Sequence, residues 1–197
     1  MHRILVAFAS REGQTDHIAH RIARQIENKK LLTRLVDVRA GETEAGADDC
    51  DAAIVAGSVH RGRYDVALAS FVVRHAPVLR RVPSAFLSIS LSAASAEPDE
   101  RAAIDEIAQR FLAEVGWVPG TVLHVAGAVH DRSISVLERF VLHTILRQHG
   151  GEPRPTGETE LTDWAAVDAF VGDFLSRLPA ASAAPEHEAE AAKQGQP

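Results

Sequence analysis

The sequence lacks the features that mark secreted, membrane-spanning or nucleic-acid-binding proteins. A single cysteine, Cys50, excludes an internal disulfide and is typical of a reducing cytoplasm. No segment approaches the roughly 18 apolar residues of a membrane-spanning helix, and no apolar signal region precedes the strand-like residues at Arg3. The net charge of −6 is opposite to that of a general nucleic-acid binder. We therefore expect a cytoplasmic protein that does not bind nucleic acid.

What is present is the composition of one ordinary globular domain. Of the 197 residues, 46% are hydrophobic and 24% are charged, which suffices for a full core. We predict a domain over residues 1–178 and a disordered tail over 179–197, where Ala, Glu, Pro and Gln occur without hydrophobic periodicity. Ten histidines are present, but their spacings match no metal-ligand pattern, so no metal site is predicted.

Short apolar segments alternate with helical patterns along this domain. Strands are predicted at residues 4–8, 31–38, 52–57, 84–91 and 121–127. Five such repeats predict an α/β fold, a doubly wound parallel sheet in the flavodoxin-like order 2-1-3-4-5, with a ligand at the switch point between the first and third strands. The second helix is expected over 65–75, before Pro77. Its buried face is expected to be Val66, Leu68, Ala69, Val72 and Val73.

The residues after the first strand, Ser10 to Thr15, form a candidate phosphate site. Backbone N–H groups around Gly13, the positive end of the following helix and the hydroxyls of Ser10 and Thr15 can converge on one anion. The segment has neither the G-x-x-x-x-G-K-[ST] nor the G-x-G-x-x-G pattern. A monophosphate such as that of flavin mononucleotide (FMN) is therefore favoured. The alternative is an ordinary turn with a helix cap at Thr15.

An insert of about 35 residues, 128–162, separates the fifth strand from the last helix, where two to six residues would suffice. Within it, Ser133 to His149 has a helical apolar stripe, and Gly150-Gly151 can end that helix. The insert is either a helix packed on the domain or a lid or docking surface beside the ligand. Asp163 is expected to cap the last helix.

With these segments placed, the sequence resembles a flavodoxin-type family, the menaquinone-dependent protoporphyrinogen oxidases of bacterial haem biosynthesis. The resemblance runs from about Ile4 to Leu178. It rests on Ser10-Arg-Glu-Gly-Gln-Thr15, Gly57-Ser-Val-His-Arg-Gly62 with Tyr64, Phe71-Val-Val-Arg-His75, Pro83-Ser-Ala-Phe86, Gly127-Ala128, His149-Gly-Gly-Glu152 and Thr162-Asp-Trp164.

The resemblance implies non-covalently bound FMN, oxidation of protoporphyrinogen IX to protoporphyrin IX, and transfer of electrons to a membrane quinone. The phosphate would be held by Ser10, Arg11, Glu12, Gly13, Gln14 and Thr15. The isoalloxazine ring would lie between Ser58, Val59, His60, Arg61, Gly62 and Tyr64 on one side and Ser90, Leu91, Ser92 and Ala93 on the other. Tyr64 either covers a flavin face or packs at a helix start. No catalytic side chain is predicted, because the flavin carries the chemistry.

Two features depart from flavodoxin-type patterns. Glu12 stands where electron-carrier flavodoxins usually have a hydroxyl, and the oxidase branch tends to be acidic there. Because a carboxylate repels a phosphate, we expect Glu12 to point away from it or to pair with Arg11. The insert has four arginines and three acids between Val129 and Pro155, without the strong basic excess of the family. It remains the candidate for peripheral contact with the inner face of the cell membrane.

Arginines near the second loop favour an enzyme over an electron carrier. From His60 to Val82 there are five arginines and one acid, whereas carriers tend to be strongly acidic around the flavin. We expect Arg61 or Arg63 to bind a carboxylate of the porphyrinogen; solvated surface arginines are the alternative. The alternative function is a flavodoxin-like FMN electron-transfer protein without a substrate of its own.

Overall fold

The structure, a computed structural model, describes residues 1–41, 49–130 and 158–179. Its centre is a five-stranded parallel sheet in the order β2-β1-β3-β4-β5. The strands are β1 (Arg3–Ala9), β2 (Leu32–Asp37), β3 (Ala52–Ser58), β4 (Ser84–Ser90) and β5 (Thr121–Ala126). The helices are α1 (Gln14–Asn28), α2 (Val66–Leu79), α3 (Pro98–Val115) and α4 (Trp164–Ser176), with a 3-10 turn at Leu91–Ala94. The predicted fold class and strand order are confirmed.

Two apolar layers cover the sheet, α1 and α4 on one face and α2 and α3 on the other. Successive residues of β1 pack into opposite layers, because a strand points alternate side chains to opposite faces of the sheet. Ile4 packs with the α1 and α4 layer, and Leu5 packs with the α2 and α3 layer. This explains the unbroken apolar runs of the central strands. In β2, at the edge, only Val36 is buried.

The segments beyond β5 are described in part. A second sheet pairs β6 (Ala128–His130) with β7 (Glu158–Glu160) in antiparallel fashion, at the two ends of the predicted insert. The helix predicted at Ser133 to His149 and residues 180–197 of the predicted tail lie outside the described residues. Asp163 caps α4, as expected, by accepting a hydrogen bond from the Ala166 N–H at 2.9 Å. Within the described ranges, no helix is long and apolar enough to cross a membrane.

Helix α2 differs from its prediction in its end and in its buried face. It continues through Pro77 to Leu79, because a proline in the last turn removes one hydrogen bond while the Arg80 N–H still reaches the Ala76 carbonyl at 3.0 Å. The predicted burial of Val66 and Val73 is wrong, since they are 76% and 55% exposed. The apolar residues surround much of this helix, so periodicity did not single out the face that packs, which is Leu68, Phe71, Val72, His75, Ala76, Val78 and Leu79.

Gly57, the glycine near the end of β3, allows α2 to approach the sheet. A Cβ atom there would lie 2.4 Å from Leu68 Cδ2, and Leu68 is fully buried. We expect Gly57→Ala to lower the free energy of unfolding by about 1–3 kcal/mol, the usual result of overpacking a core. Urea denaturation measures this. The control is Gly172→Ala in α4, where a Cβ meets nothing within 4 Å and a gain of about 0.5–1 kcal/mol is expected. Equal changes in the two variants would contradict the close approach.

Candidate functional site

The parallel register brings the three predicted loops side by side at one edge of the sheet. Ala9 of β1 lies opposite Gly57 of β3, and Ser58 of β3 lies opposite Ile89 of β4. The loops that start from these positions therefore meet where the strand order reverses between β1 and β3, the usual ligand position in such sheets.

A serine at the end of each strand holds its own loop. Ser10 Oγ accepts a hydrogen bond from the Gly13 N–H at 3.1 Å. Ser90 Oγ accepts one from the Ala93 N–H at 3.2 Å, and Ser58 Oγ lies 3.1 Å from His60 Nε2. The serines predicted to contact a ligand thus also fix the loop conformations.

The first loop ends in open hydrogen-bond donors at the start of α1. Gly13 occupies the N-cap with a φ of 94°, and no side chain caps the helix. Among the described residues, neither the N–H groups of Gln14, Thr15 and Asp16 nor the Thr15 hydroxyl has a hydrogen-bond partner. Thr15 itself is only 1% exposed and lies inside the first turn, so the alternative of a helix cap at Thr15 is wrong. Free first-turn amides at the positive end of a helix are the elements of a phosphate site.

A carboxylate that the sequence analysis did not select, Asp65, links the first loop to the start of α2 and to Arg39 after β2. It binds Arg11 Nη2 at 2.9 Å and lies 3.3 Å from Arg39 Nε, and Arg39 Nη1 donates to the Ser10 carbonyl at 2.6 Å. Asp65 also caps α2 by accepting from the Ala67 N–H at 2.9 Å. Burial raises the pKa of this carboxyl, but the Ala67 bond and the two guanidinium groups together bring it below its ordinary 3.8. An aspartate just before an apolar helix is the signal that marks such a cap.

The pairing predicted for Glu12 is wrong. Arg11 binds Asp65 instead, and Glu12 Oε1 lies 3.9 Å from His60 Nδ1 on the second loop. Arg11 pairs with Asp65 rather than Glu12 because Asp65 is the more buried carboxylate. It accepts from both Arg11 Nε and Arg11 Nη2 at 2.9 Å. That Glu12 points away from a bound phosphate stays a prediction.

The side chain of Gln14 ties the first loop to the segment that closes the insert. Gln14 is 7% exposed, and its Nε2 donates to Glu160 Oε1 at 2.9 Å and to Thr162 Oγ1 at 2.8 Å. Thr162 Oγ1 in turn donates to the Ala126 carbonyl at the end of β5, at 2.7 Å. The Gln14 amide nitrogen is therefore engaged within the protein, whereas the Gln14 backbone N–H has no partner among the described residues. These long-range partners had no signal in the local sequence.

Two roles were predicted for Tyr64, and the structure shows the one in which its ring packs at a helix start. Its ring centroid lies 4.6 Å from that of Phe111 and 5.2 Å from that of Phe86, inside the α2 and α3 layer. Its hydroxyl donates to Ser88 Oγ at 2.7 Å. Burial raises the pKa of Tyr64 to about 12, although the Ser88 hydrogen bond opposes the shift. The ring therefore packs at the start of α2, and contact between Tyr64 and a flavin stays a prediction.

This burial predicts a measurable titration, because Tyr64 is the one tyrosine of the chain. We expect tyrosinate absorbance to rise with a midpoint near pH 12 rather than 10. The native state keeps the phenol proton to higher pH than the unfolded chain, so this contribution to stability is full below pH 10 and decreases as pH rises towards 12. Tyr64→Phe should remove both the absorbance change and this part of the alkaline loss. A midpoint at 10 in the folded protein would contradict the burial.

The second loop turns at Arg61 and Gly62, both with positive φ, 51° and 74°. His60 and Arg63 pair across this turn through two backbone hydrogen bonds of 2.8 and 3.1 Å, as in a type I′ hairpin. Asn, Asp or Gly usually occupies the first central position, and an L-residue in the left-handed region costs about 1–2 kcal/mol. The turn directs Arg61 and Arg63 to the surface, where both are exposed.

Comparisons with known proteins agree with this architecture. The sequence profile of the flavodoxin domain matches residues 5–156. A Leishmania major protein is 31% identical over 91% of this chain and 77% of its own length, and an Escherichia coli K12 protein is 30% identical over 87% and 94%. Both are named protoporphyrinogen IX dehydrogenase (quinone). Oxidised flavodoxin 1 from Bacillus cereus shares the fold, with a TM-score of 0.55 and 17% identity over 90% of this chain and 99% of that one. The chain therefore belongs to the flavodoxin domain family.

Proposed function

We propose that the protein is an FMN-dependent dehydrogenase that oxidises protoporphyrinogen IX to protoporphyrin IX in haem biosynthesis and passes the electrons to a quinone. The observation that carries the proposal is the open donor set at the start of α1, in a chain whose relatives of that name match it over 87% of its length or more. The relatives support the reaction, and the donor set supports the cofactor.

The residues of the first loop fit an FMN phosphate. Three first-turn N–H groups and the Thr15 hydroxyl supply four donors, all without a partner in the described part of the chain. Ser10, Arg11, Glu12, Gly13 and Gln14 shape the loop around them. The ring would lie between residues 58–62 and residues 90–93, whose loops start from paired strand ends. When bound, FMN supplies the acceptor for the electrons of the porphyrinogen.

The remaining roles concern the substrate and the membrane. Arg61 and Arg63 are the candidates to bind porphyrinogen carboxylates, because they are exposed on the second loop and lack ion-pair partners within the described ranges.

A membrane quinone such as menaquinone would be reached by peripheral contact with the inner face of the cell membrane, with the insert as the contacting segment. Co-sedimentation of the full chain with vesicles that contain menaquinone tests this contact.

The function is tested by an anaerobic assay of the FMN-loaded protein with protoporphyrinogen IX. We expect porphyrin fluorescence to appear with menaquinone present. Without it, oxidation should stop after one two-electron reduction of the flavin, short of the six-electron loss that forms porphyrin. The alternative, an FMN electron carrier without a substrate of its own, predicts no fluorescence above a protein-free control. We test this alternative because the protein shares its fold with a flavodoxin.

A further inference from the structure

A groove of about 560 Å³ lies beside the second loop, between the start of α2 and the middle of α3. Arg61 and Arg63 line it from the second loop, Val66 lines it from α2, and Ile107, Arg110 and Phe111 line it from α3. Its volume is within the range of small-molecule sites. The groove therefore extends from the predicted flavin-flanking loop along the outer face of the α2 and α3 layer.

Three guanidinium groups line this groove, and none has an acidic partner among residues 1–41, 49–130 and 158–179. In the described part of the chain, Arg61, Arg63 and Arg110 have no side-chain hydrogen bond or ion pair, whereas Arg11 and Arg39 bind Asp65 and Arg80 binds the Gly116 carbonyl. One acid, Glu114, lines the groove as well, which leaves three positive charges against one negative. Unpaired guanidinium groups around one cavity favour a ligand with more than one carboxylate.

Part of the groove lining is apolar. Of its apolar side chains, Val66 is 76% exposed and Phe111 is 6% exposed. Ile107, Arg110, Phe111 and Glu114 follow one another at helical spacing, so α3 presents apolar and charged side chains on a single stripe. The ligand that matches this lining has a broad apolar body with acidic groups at its edge.

We propose that this groove binds the propionate-bearing edge of the porphyrinogen, with Arg110 as a specificity-determining cation beside Arg61 and Arg63. The assignment rests on the proposed function for the identity of the tetrapyrrole. The left-handed turn at Arg61 and Gly62 fits this role, because Arg61 lies in the turn, Arg63 follows it, and both line the groove. Arg110 was not selected by the sequence analysis, since it lies far from the loops along the chain.

The test is binding of protoporphyrin IX, the stable dicarboxylate product, to the FMN-loaded full chain, followed by quenching of porphyrin fluorescence. We expect Arg110→Ala to weaken binding at least about tenfold, as loss of a charge-assisted hydrogen bond does. Arg110→Lys, which keeps the charge without the planar fork, should recover part of the affinity. Arg74→Ala is the matched control, because Arg74 is exposed on α2 and does not line the groove. It should bind like the unmodified protein.

A second probe, the dimethyl ester of the same porphyrin, lacks the carboxylates and should bind the unmodified protein and Arg110→Ala equally. FMN affinity should be the same in all variants. Unchanged protoporphyrin binding by Arg110→Ala, with clear binding by the unmodified protein, would overturn the groove assignment and leave the proposed function intact. FMN-loaded protein that binds no porphyrin at all would overturn both.

Discussion

Thr15→Val is expected to weaken FMN binding by roughly 10- to 100-fold, the equivalent of a hydrogen bond to a charged group. The Thr15 hydroxyl has no partner among the described residues, so its loss removes no bond to any of them. Valine keeps the shape of a side chain that is 1% exposed in the first turn of α1. Titration of the apoprotein with FMN, followed by quenching of flavin fluorescence, measures the dissociation constant.

Thr33→Val is the matched control for this substitution. Thr33 lies in β2 and its hydroxyl is 3.5 Å from the Ala23 carbonyl, away from the three loops. FMN affinity should be unchanged in this variant. An equal loss in both variants would point to a general effect of losing a threonine hydroxyl, and no loss in either would contradict the phosphate site at α1.

Asp65→Ala is expected to lower the free energy of unfolding by about 2 kcal/mol and to weaken FMN binding as well. The substitution removes the cap of α2, worth about 1 kcal/mol, and two half-exposed ion pairs, worth up to about 1 kcal/mol together. FMN binding should suffer because Arg39, which holds the Ser10 carbonyl, loses the carboxylate that positions it. Urea denaturation and FMN titration measure the two effects separately.

Asp65→Asn separates the cap from the charge, because asparagine can still accept from the Ala67 N–H. It should lose about half as much stability as Asp65→Ala at neutral pH. The folded-state pKa of Asp65 is lowered, so its charge contributes fully above pH 3.8 and is lost as pH falls through the lower folded value. The difference between the unmodified protein and Asp65→Asn should therefore vanish at acid pH. A difference that persists there would show that the ion pairs are not its source.

The sequence predicted the sheet and its ligand edge because those depend on local patterns. The unbroken apolar runs at 4–8 and 52–57 identified the central strands, and β1 and β3 were found at those positions. Strand order then followed from the count of alternating segments, and the strand ends placed Ser10, Ser58 and Ser90 at one edge. Asp163 similarly identified a helix start.

The partners of side chains across the fold could not be predicted in this way. Arg11 pairs with Asp65, 54 positions away, rather than with its neighbour Glu12. The direction of Tyr64 depends on Phe86 and Phe111, which lie on other elements of the same layer. Arg110 joins the groove only because α3 packs against α2 beneath the second loop. Such contacts result from packing between elements, which residue periodicity does not encode.

The central claim is that this flavodoxin-domain protein takes electrons from a porphyrinogen itself. Rapid anaerobic mixing of the FMN-loaded protein with protoporphyrinogen IX, without a quinone, tests it most directly. We predict that the visible absorption band of oxidised flavin disappears on mixing. The band should return, and porphyrin should form, when menaquinone is added, because the six-electron oxidation needs three two-electron reductions of the flavin. Flavin that stays oxidised with protoporphyrinogen, yet is bleached by dithionite in the same sample, would contradict the claim and leave an electron carrier.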